Sequence, residues 1–328
     1  MKEIKSAGEI RDIANAFRES RILLSSIELG IFTIIDKHMM SAEEVSEKIK
    51  ADPRAASRLM NALCAMGLLK KVKGKFFNTG IASKYLVEGS QEFMGALYHT
   101  NHLWDTWSFL TESVIKGSSH KGDQNQSEKT EWVKAFIEAM HYRGVHQAEI
   151  IAIMIDLSGV KKILDVGGGS AAFSMEMVKK NPGSSAVVLD LPHVIPLTKK
   201  YVEDAGLSDK FNFIEGNYLS KDLEGYYDLI LLSAIVHINS YDQNKKLIHK
   251  CAGALNKKGM IIISDFIMSE DRVHPDFGAF FSLNMLVGTE AGDTYTETEM
   301  REWFEAAGIS NIERKNTSFG SDLLIGKK

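Results

Sequence analysis

A short apolar run, Lys162-Ile163-Leu164-Asp165-Val166, breaks directly into Gly167-Gly168-Gly169, and the next apolar run, Val187-Val188-Leu189, closes on a second acid, Asp190. A strand that ends in glycines before a helix brings bare backbone up to a ligand, and an acid on the following strand suits ribose hydroxyls. The pairing points to a ligand that contains a nucleoside. Gly167-x-Gly169-x-x-Ala172 also satisfies a loose dinucleotide fingerprint, so the glycines alone do not say which nucleoside. Asp165 shifts the balance. A carboxylate two residues before the glycines repels a pyrophosphate and attracts an ammonium group, which favours S-adenosylmethionine over a nicotinamide dinucleotide.

The remainder of the chain narrows the partners. At 328 residues, 44% of them hydrophobic and 25% charged, it is long enough for two domains with proper cores. A formal charge of −4 supplies no field that would draw the protein to nucleic acid or to an anionic membrane. Small molecules and copies of the same chain are the expected partners. Cys64 and Cys251 are far apart and in no metal-like spacing, which suits a reducing compartment. The amino terminus lacks an apolar signal core and no stretch is long enough to span a bilayer, so a cytoplasmic location is expected. No metal is expected either, because no His, Asp and Glu residues recur at ligand spacing.

Ile10, Ile13, Phe17, Leu24 and Ile27 recur at helical spacing and predict one amphipathic helix that must bury a face. Ser41-x-x-Glu44 is a capping box, Asp52-Pro53 opens a second helix through Leu63, and Gly67 to Asn78 reads as a small hairpin. Helix, turn, helix and wing is the order of a winged-helix module. One reading is DNA recognition through Arg54 and Arg58, with Lys70, Lys71, Lys73 and Lys75 on the wing. The preferred reading is a dimerisation scaffold with a solvated basic hairpin, because the rest of the chain looks catalytic. This domain is placed at residues 1–100 and a ligand-binding domain at 101–328. The helical segment 101–157 is rich in Met, His and aromatics suited to an apolar pocket. Lys116 to Thr130 reads as a surface loop.

Beyond residue 160 strands and helices alternate. Strands are expected near 161–166, 185–190, 211–215, 227–233 and 259–264, with helices starting near Phe173, Val194, Asp242 and Thr296. A closing hairpin over Asn311 to Lys315 and Asp322 to Ile325 completes a doubly wound, mostly parallel α/β sheet of seven strands.

Ligands of such a sheet bind beyond the carboxyl ends of its strands. There Asn217 is suited to an adenine edge and Tyr218 to its face, although a plain polar turn explains that segment equally well. His237 follows the buried run Leu229 to Val236, where the fourth strand gives way to its loop. Imidazole can take a proton from a hydroxyl as the oxygen attacks an electrophilic methyl. Asp265 ends the adjacent strand, Ile261 to Asp265, in position to orient that ring.

Taken together, Asp165-Val-Gly-Gly-Gly169, Asp190-Leu191-Pro192, the histidine after the fourth strand and the winged-helix order resemble the small-molecule O-methyltransferases. That family includes the plant caffeate, acetylserotonin and bacterial hydroxyneurosporene-type enzymes, and the resemblance covers nearly the whole chain. It implies a class I S-adenosylmethionine fold, S-adenosylhomocysteine as product, and a homodimer with interlocking amino domains. It also places Asp165, Gly167, Gly169, Asp190, Leu191, Asn217, Tyr218, Ser233 and Phe136 around the cofactor. Met140, Trp104, Trp107, Met285 and Thr294 fall to the acceptor pocket, and His237 and Asp265 to catalysis. The departures from the family pattern are Ala171 for a glycine, Asn217 for an acid, Ser233-Ala234 for Lys-Trp, Ile238 for an acid, and Asp265 and Thr294 for glutamates. The expected activity is methyl transfer to a hydroxyl on a small aromatic or apolar acceptor. A ligand-sensing transcription regulator, a nicotinamide-dependent oxidoreductase and altered chemistry on the same fold are the alternatives.

Overall fold

The computed structural model describes residues 3–120 and 130–328, and the chain divides into two compact units at Asp105/Thr106. The division lies slightly beyond the boundary expected at residue 100, because one helix, Ala96–Trp107, runs across it. Most of the loop expected between Lys116 and Thr130 lies outside the described residues.

The first unit begins with α1 (Ala7–Asn15), α2 (Phe17–Glu28) and α3 (Ile31–Ile35). It continues through α4 (Ala42–Ile49), α5 (Pro53–Ala65), the strands β1 (Leu69–Val72) and β2 (Lys75–Asn78), α6 (Gly80–Tyr85) and α7 (Ala96–Trp107). Its caps are those written in the sequence. Ser41 and Glu44 form a reciprocal capping box, and the Asp52 carboxylate accepts the Ala55 N–H at 2.8 Å ahead of Pro53. The hairpin pairs Leu69 with Asn78 and Val72 with Lys75 across a Lys73-Gly74 turn in which both residues have positive φ. Ile31, Phe32, Ile35, Val45, Met60, Leu63, Leu69 and Phe76 make its core. The single amphipathic helix expected at the start is two helices broken at Ala16. Only its later apolar residues are covered: Leu24 and Ile27 are buried, whereas Ile10, Ile13 and Phe17 are more than half exposed.

The second unit opens with α8 (Leu110–Lys116) and the long α9 (Thr130–Met154). The alternating part follows as β3 (Lys162–Val166), α10 (Ala172–Lys180), β4 (Ser185–Asp190), α11 (Ile195–Asp204), β5 (Phe211–Glu215) and β6 (Tyr227–Ser233). Next come α12 (Tyr241–Gly253), β7 (Leu255–Asp265), β8 (Ile267–Met268), α13 (Asp276–Gly288), β9 (Tyr295–Thr296), α14 (Glu297–Ala306), β10 (Ser310–Lys315) and β11 (Asp322–Lys327). Seven strands form one sheet in the order β10-β11-β7-β6-β3-β4-β5, parallel except for β11, which runs antiparallel to both neighbours. The chain builds outward from β3 to β5, then returns to lay β6 on the other side of β3. That reversal opens a crevice at the carboxyl ends of β3 and β6. β7 starts earlier than expected, at Leu255, with a register shift against β6.

Period-two alternation sorts the strands' apolar residues onto two faces. Leu164, Val166, Leu189, Ile230, Leu232, Ile261 and Ile263 pack with Leu247, Ile248, Trp303 and Phe304 of α12 and α14. Ile163, Val188, Leu229, Leu231 and Ile262 pack with Ile151 of α9, Met175 and Val178 of α10 and Val202 of α11. Both faces are therefore dry, and the sheet can present polar groups only at strand ends and in the loops beyond them.

Ala171, which stands where the family pattern has glycine, keeps the left-handed conformation that glycine would adopt, with φ 62°, and is completely buried. A non-glycine residue in that region is strained by about 1 kcal/mol, and its methyl group returns a similar amount through burial. Ala171→Gly is accordingly expected to change the unfolding free energy by less than about 1 kcal/mol in urea titrations. A loss well beyond that would show that the methyl is needed to shape the loop.

Candidate active site

The loop after β3 is built to be thin. Gly167 and Gly169 have φ of 64° and 57°. A Cβ on Gly167 would lie 2.3 Å from the Ile235 side chain, and one on Gly168 would lie 2.7 Å from the Asp165 carboxyl group. Gly169 has more room, with Ile137 of α9 at 3.5 Å from the position of its missing Cβ. The three glycines thus have different reasons: conformational and steric at once for Gly167, steric for Gly168 and conformational for Gly169.

Asp190, at the end of β4, turns towards this loop. Its Oδ2 accepts the Gly169 N–H at 2.8 Å and its Oδ1 accepts the Leu191 N–H at 2.7 Å. Burial raises its pKa above the ordinary carboxylate value, against the pull of those two N–H groups. Leu191 packs with Phe136, Ile137 and Val194, so the segment after β4 and the first half of α9 share one small apolar cluster. Met140 is half-buried further along α9.

Asp165 does not face the crevice. It is buried behind the glycine loop, only 2% exposed, and accepts the Ser174 hydroxyl of α10 at 2.5 Å. Burial lifts its pKa to about 6, with Ser174 pulling down and the Asp190 charge pushing up. The direct ammonium contact expected for Asp165 therefore gives way to support of the loop from beneath. Ser174, which no motif in the sequence marks, is the group that makes this burial tolerable.

On the third strand end, Asn217 spends its side-chain oxygen on the Leu219 N–H at 2.8 Å, closing a local turn, and the residue is exposed. This is the plain polar-turn reading. Tyr218 lies beside the glycine loop, its ring edge 3.6 Å from the Gly167 Cβ position. Burial raises its phenol to about 12, and the hydroxyl donates to Asn239 Oδ1 at 3.1 Å.

His237 sits on a one-turn 3-10 helix, Val236–Ile238, just past β6, and is 9% exposed. Its Nδ1 lies 2.8 Å and 2.9 Å from the two carboxylate oxygens of Asp265. Its backbone N–H donates to the same carboxylate at 3.3 Å, and the Phe266 N–H adds a further bond at 2.8 Å. A carboxylate at Nδ1 selects the tautomer that leaves Nε2 with the free lone pair. Phe281 of α13 meets the imidazole edge to face at 4.9 Å, and Phe266 and Phe277 pack around Phe281. Met285, one turn further along α13, is buried.

The turn carrying His237 is held from several sides. Asn244 donates to Val236 O at 2.8 Å and to no solvent, being fully buried, and Tyr295 donates to Asn239 O at 2.6 Å. The Asp293 N–H bonds His237 O at 3.0 Å, and position 292 takes only glycine, because a Cβ there would meet that same carbonyl at 2.4 Å. Thr294 belongs to this supporting segment. Its hydroxyl is directed to Gly278 O on α13 at 3.4 Å, so it does not replace the second glutamate as a partner of the imidazole. Ser233 ends β6 opposite Ser264, and Ala234 follows with φ 56°. The two tryptophans part company. Trp107 donates to Asn284 of α13 at 2.9 Å within the second unit, whereas Trp104 lies in the first unit with the Arg21 guanidinium 5.4 Å from its ring. Asn239, Asn244, Asn284 and Tyr295 were not singled out by sequence, because nothing in their spacing marks a residue that acts through a neighbour.

This arrangement of glycine loop, acid and oriented imidazole can now be set beside known proteins. The model of the O-methyltransferase domain matches residues 111–310, and that of the O-methyltransferase dimerisation domain matches residues 11–88. The chain belongs to the O-methyltransferase family. It is an S-adenosylmethionine-dependent enzyme of that class. The 3-hydroxy-5-methyl-1-naphthoate 3-O-methyltransferase of Streptomyces sahachiroi is 31% identical, with 92% of this chain and 89% of the relative covered. The tetracenomycin polyketide 8-O-methyltransferase of Streptomyces glaucescens is 25% identical, with 99% and 98% covered. Among solved structures, human N-acetylserotonin methyltransferase in complex with S-adenosylmethionine superposes with a TM-score of 0.84 at 22% identity, covering 100% of this chain and 99% of that one. The nicotinamide-dependent oxidoreductase alternative falls away with these matches.

The glycine loop of this O-methyltransferase gives a direct test of the geometry. Gly167→Ala combines a left-handed φ with a clash at 2.3 Å, and is expected to lower the unfolding free energy by about 1–3 kcal/mol. An unchanged urea midpoint would mean that the loop relaxes without strain.

Proposed function

We propose that this enzyme methylates a hydroxyl on a small, largely flat aromatic acceptor, with His237 as general base. The observation that carries the reading is the imidazole clamped through Nδ1 by a buried carboxylate at the crevice rim, with Nε2 left available and aromatic rings alongside. The crevice also fits a nucleoside: a loop too tight for side chains, a carboxylate beside it, and the Tyr218 ring against Gly167. Asp190 would accept the ribose hydroxyls through the remaining lone pairs of its two oxygens, and Leu191, Phe136 and Tyr218 would line the base. When bound, S-adenosylmethionine supplies an electrophilic methyl group on a sulfonium.

The chain's own part is to orient and to move a proton. Asp265 fixes the imidazole plane and tautomer, and His237 Nε2 takes the acceptor's hydroxyl proton as the oxygen becomes nucleophilic. The imidazolium formed is stabilised by the Asp265 carboxylate 2.8 Å away. Phe281, Met285, Met140 and the Trp107–Asn284 pair are assigned to the acceptor wall. Fused-ring phenols are the acceptor class favoured by these rings, and the naphthoate and polyketide relatives act on compounds of that kind by name.

The first unit is assigned to a winged-helix dimerisation module. The exposed stripe of Ile10, Ile13 and Phe17, which the single chain leaves uncovered, supports a second copy as its partner. No helix among the described residues is long and apolar enough to cross a membrane, and both cysteines are unpaired thiols, which suits the cytoplasm.

Two substitutions separate binding from chemistry. His237→Ala is expected to lower turnover by about 10²–10⁴-fold while calorimetric affinity for S-adenosylhomocysteine stays within a few fold; unchanged turnover removes the base assignment. Asp190→Ala is expected to weaken S-adenosylhomocysteine binding by at least about tenfold, a charged hydrogen-bond loss, in the same titration. Undiminished affinity would end the ribose role.

A further inference from the structure

One histidine outside the proposed catalytic pair is tied to the glycine loop. His141 Nδ1 and Ser170 Oγ share a hydrogen bond of 2.9 Å, and Ser170 lies between Gly169 and Ala171, two of the left-handed residues of that loop. On its other side the imidazole stacks on Tyr201 of α11, with centroids 4.1 Å apart and planes inclined by 26°. His141 belongs to the inward seam of α9 formed by Val133, Ile137, Gly144, Ala148 and Ile151, whose other members are apolar or glycine. Gly144, three residues on, lets α9 approach α10, where Phe173 stands 3.5 Å from its Cβ position. An apolar seam slides at little cost, but a polar group within it has one register in which it is satisfied. Ser170 is itself buried, so its hydroxyl would be left without that bond if α9 shifted.

We propose that His141 is a positioning residue that locks α9 to the glycine loop through Ser170, so that ordering of the loop by the cofactor is passed to the helix carrying Phe136 and Met140. The inference rests on the reading of the glycine loop as the cofactor site. It gives α9 two levels of order, looser with an empty loop and tighter with a filled one, and makes acceptor binding favour the loaded enzyme. Neither chemistry nor proton transfer is assigned to His141. Its ring is engaged by Ser170 and Tyr201, and the proposed base, His237, lies on the turn after β6.

The test is amide hydrogen exchange of residues 133–154 in the full chain, with and without S-adenosylhomocysteine, alongside calorimetry of the same samples. In the unaltered protein the ligand is expected to slow exchange in α9 by about fivefold, the worth of one hydrogen bond. His141→Phe, which keeps the ring and its stack, and Ser170→Ala are each expected to bind the ligand yet lose that added protection. His141→Asn, which sets a polar atom near the place of Nδ1 but abolishes the stack, is expected to restore part of it. A histidine that serves only as packing predicts the reverse order, with Phe behaving as the parent and Asn failing. Ligand binding with full α9 protection in both His141→Phe and Ser170→Ala overturns the proposal and leaves the cofactor site standing. Failure of the unaltered protein to bind S-adenosylhomocysteine overturns both.

Discussion

Three donors converge on the carboxylate of Asp265: the imidazole Nδ1 of His237, the backbone N–H of His237 and the N–H of Phe266. A carboxylate that is 2% exposed is tolerable only when its lone pairs are so occupied. The condition has structural consequences. It requires β6 and β7 to end side by side, which the Ser233–Ser264 pairing achieves, and it requires the chain beyond β6 to double back within one 3-10 turn. Asn244, Tyr295 and the backbone of Asp293 then fill the remaining hydrogen-bonding needs of that turn. Breaking the carboxylate–imidazole pair would leave a buried charge without its partner, so orientation of the imidazole and integrity of the rim are one problem.

The glycine loop solves a different problem with the same economy of space. Its backbone is held from below by Asp165 and Ser174, from the side by Asp190, and from above by His141 through Ser170. Two buried or nearly buried carboxylates so close together are raised in pKa by burial, and Asp165 also by the charge of Asp190. The hydrogen bonds they accept, from the Ser174 hydroxyl and from the N–H groups of Gly169 and Leu191, counter that rise. The loop's shape is therefore set by its surroundings, which explains how Ala171 can occupy a left-handed position usually given to glycine.

Departures from the family pattern read differently once placed. Asn217 closes its own turn, and the Thr294 hydroxyl is directed to Gly278 O on α13. Asp265, shorter than the glutamate of that pattern, still reaches Nδ1 from the end of β7. The imidazole is thus held by a single carboxylate.

Much of the architecture was legible in the chain. Short apolar runs marked strands β3 to β7, and capping boxes at Ser41 and Thr296 marked helix starts, because both signals are local and depend on neighbouring residues alone. Asp190, Gly167, His237 and Asp265 were legible for the same reason, since strand ends in a doubly wound sheet can be located by counting. Where a side chain points was not. Local pattern could not tell that Asp165 turns under the loop, that Ile10, Ile13 and Phe17 go uncovered within one chain, or that His141 reaches Ser170 across 29 residues. Sequence determined the order of the elements and the chemistry available at their ends; packing between distant segments decided which of those groups are buried and which partners hold them, because only contact in three dimensions satisfies a buried polar atom.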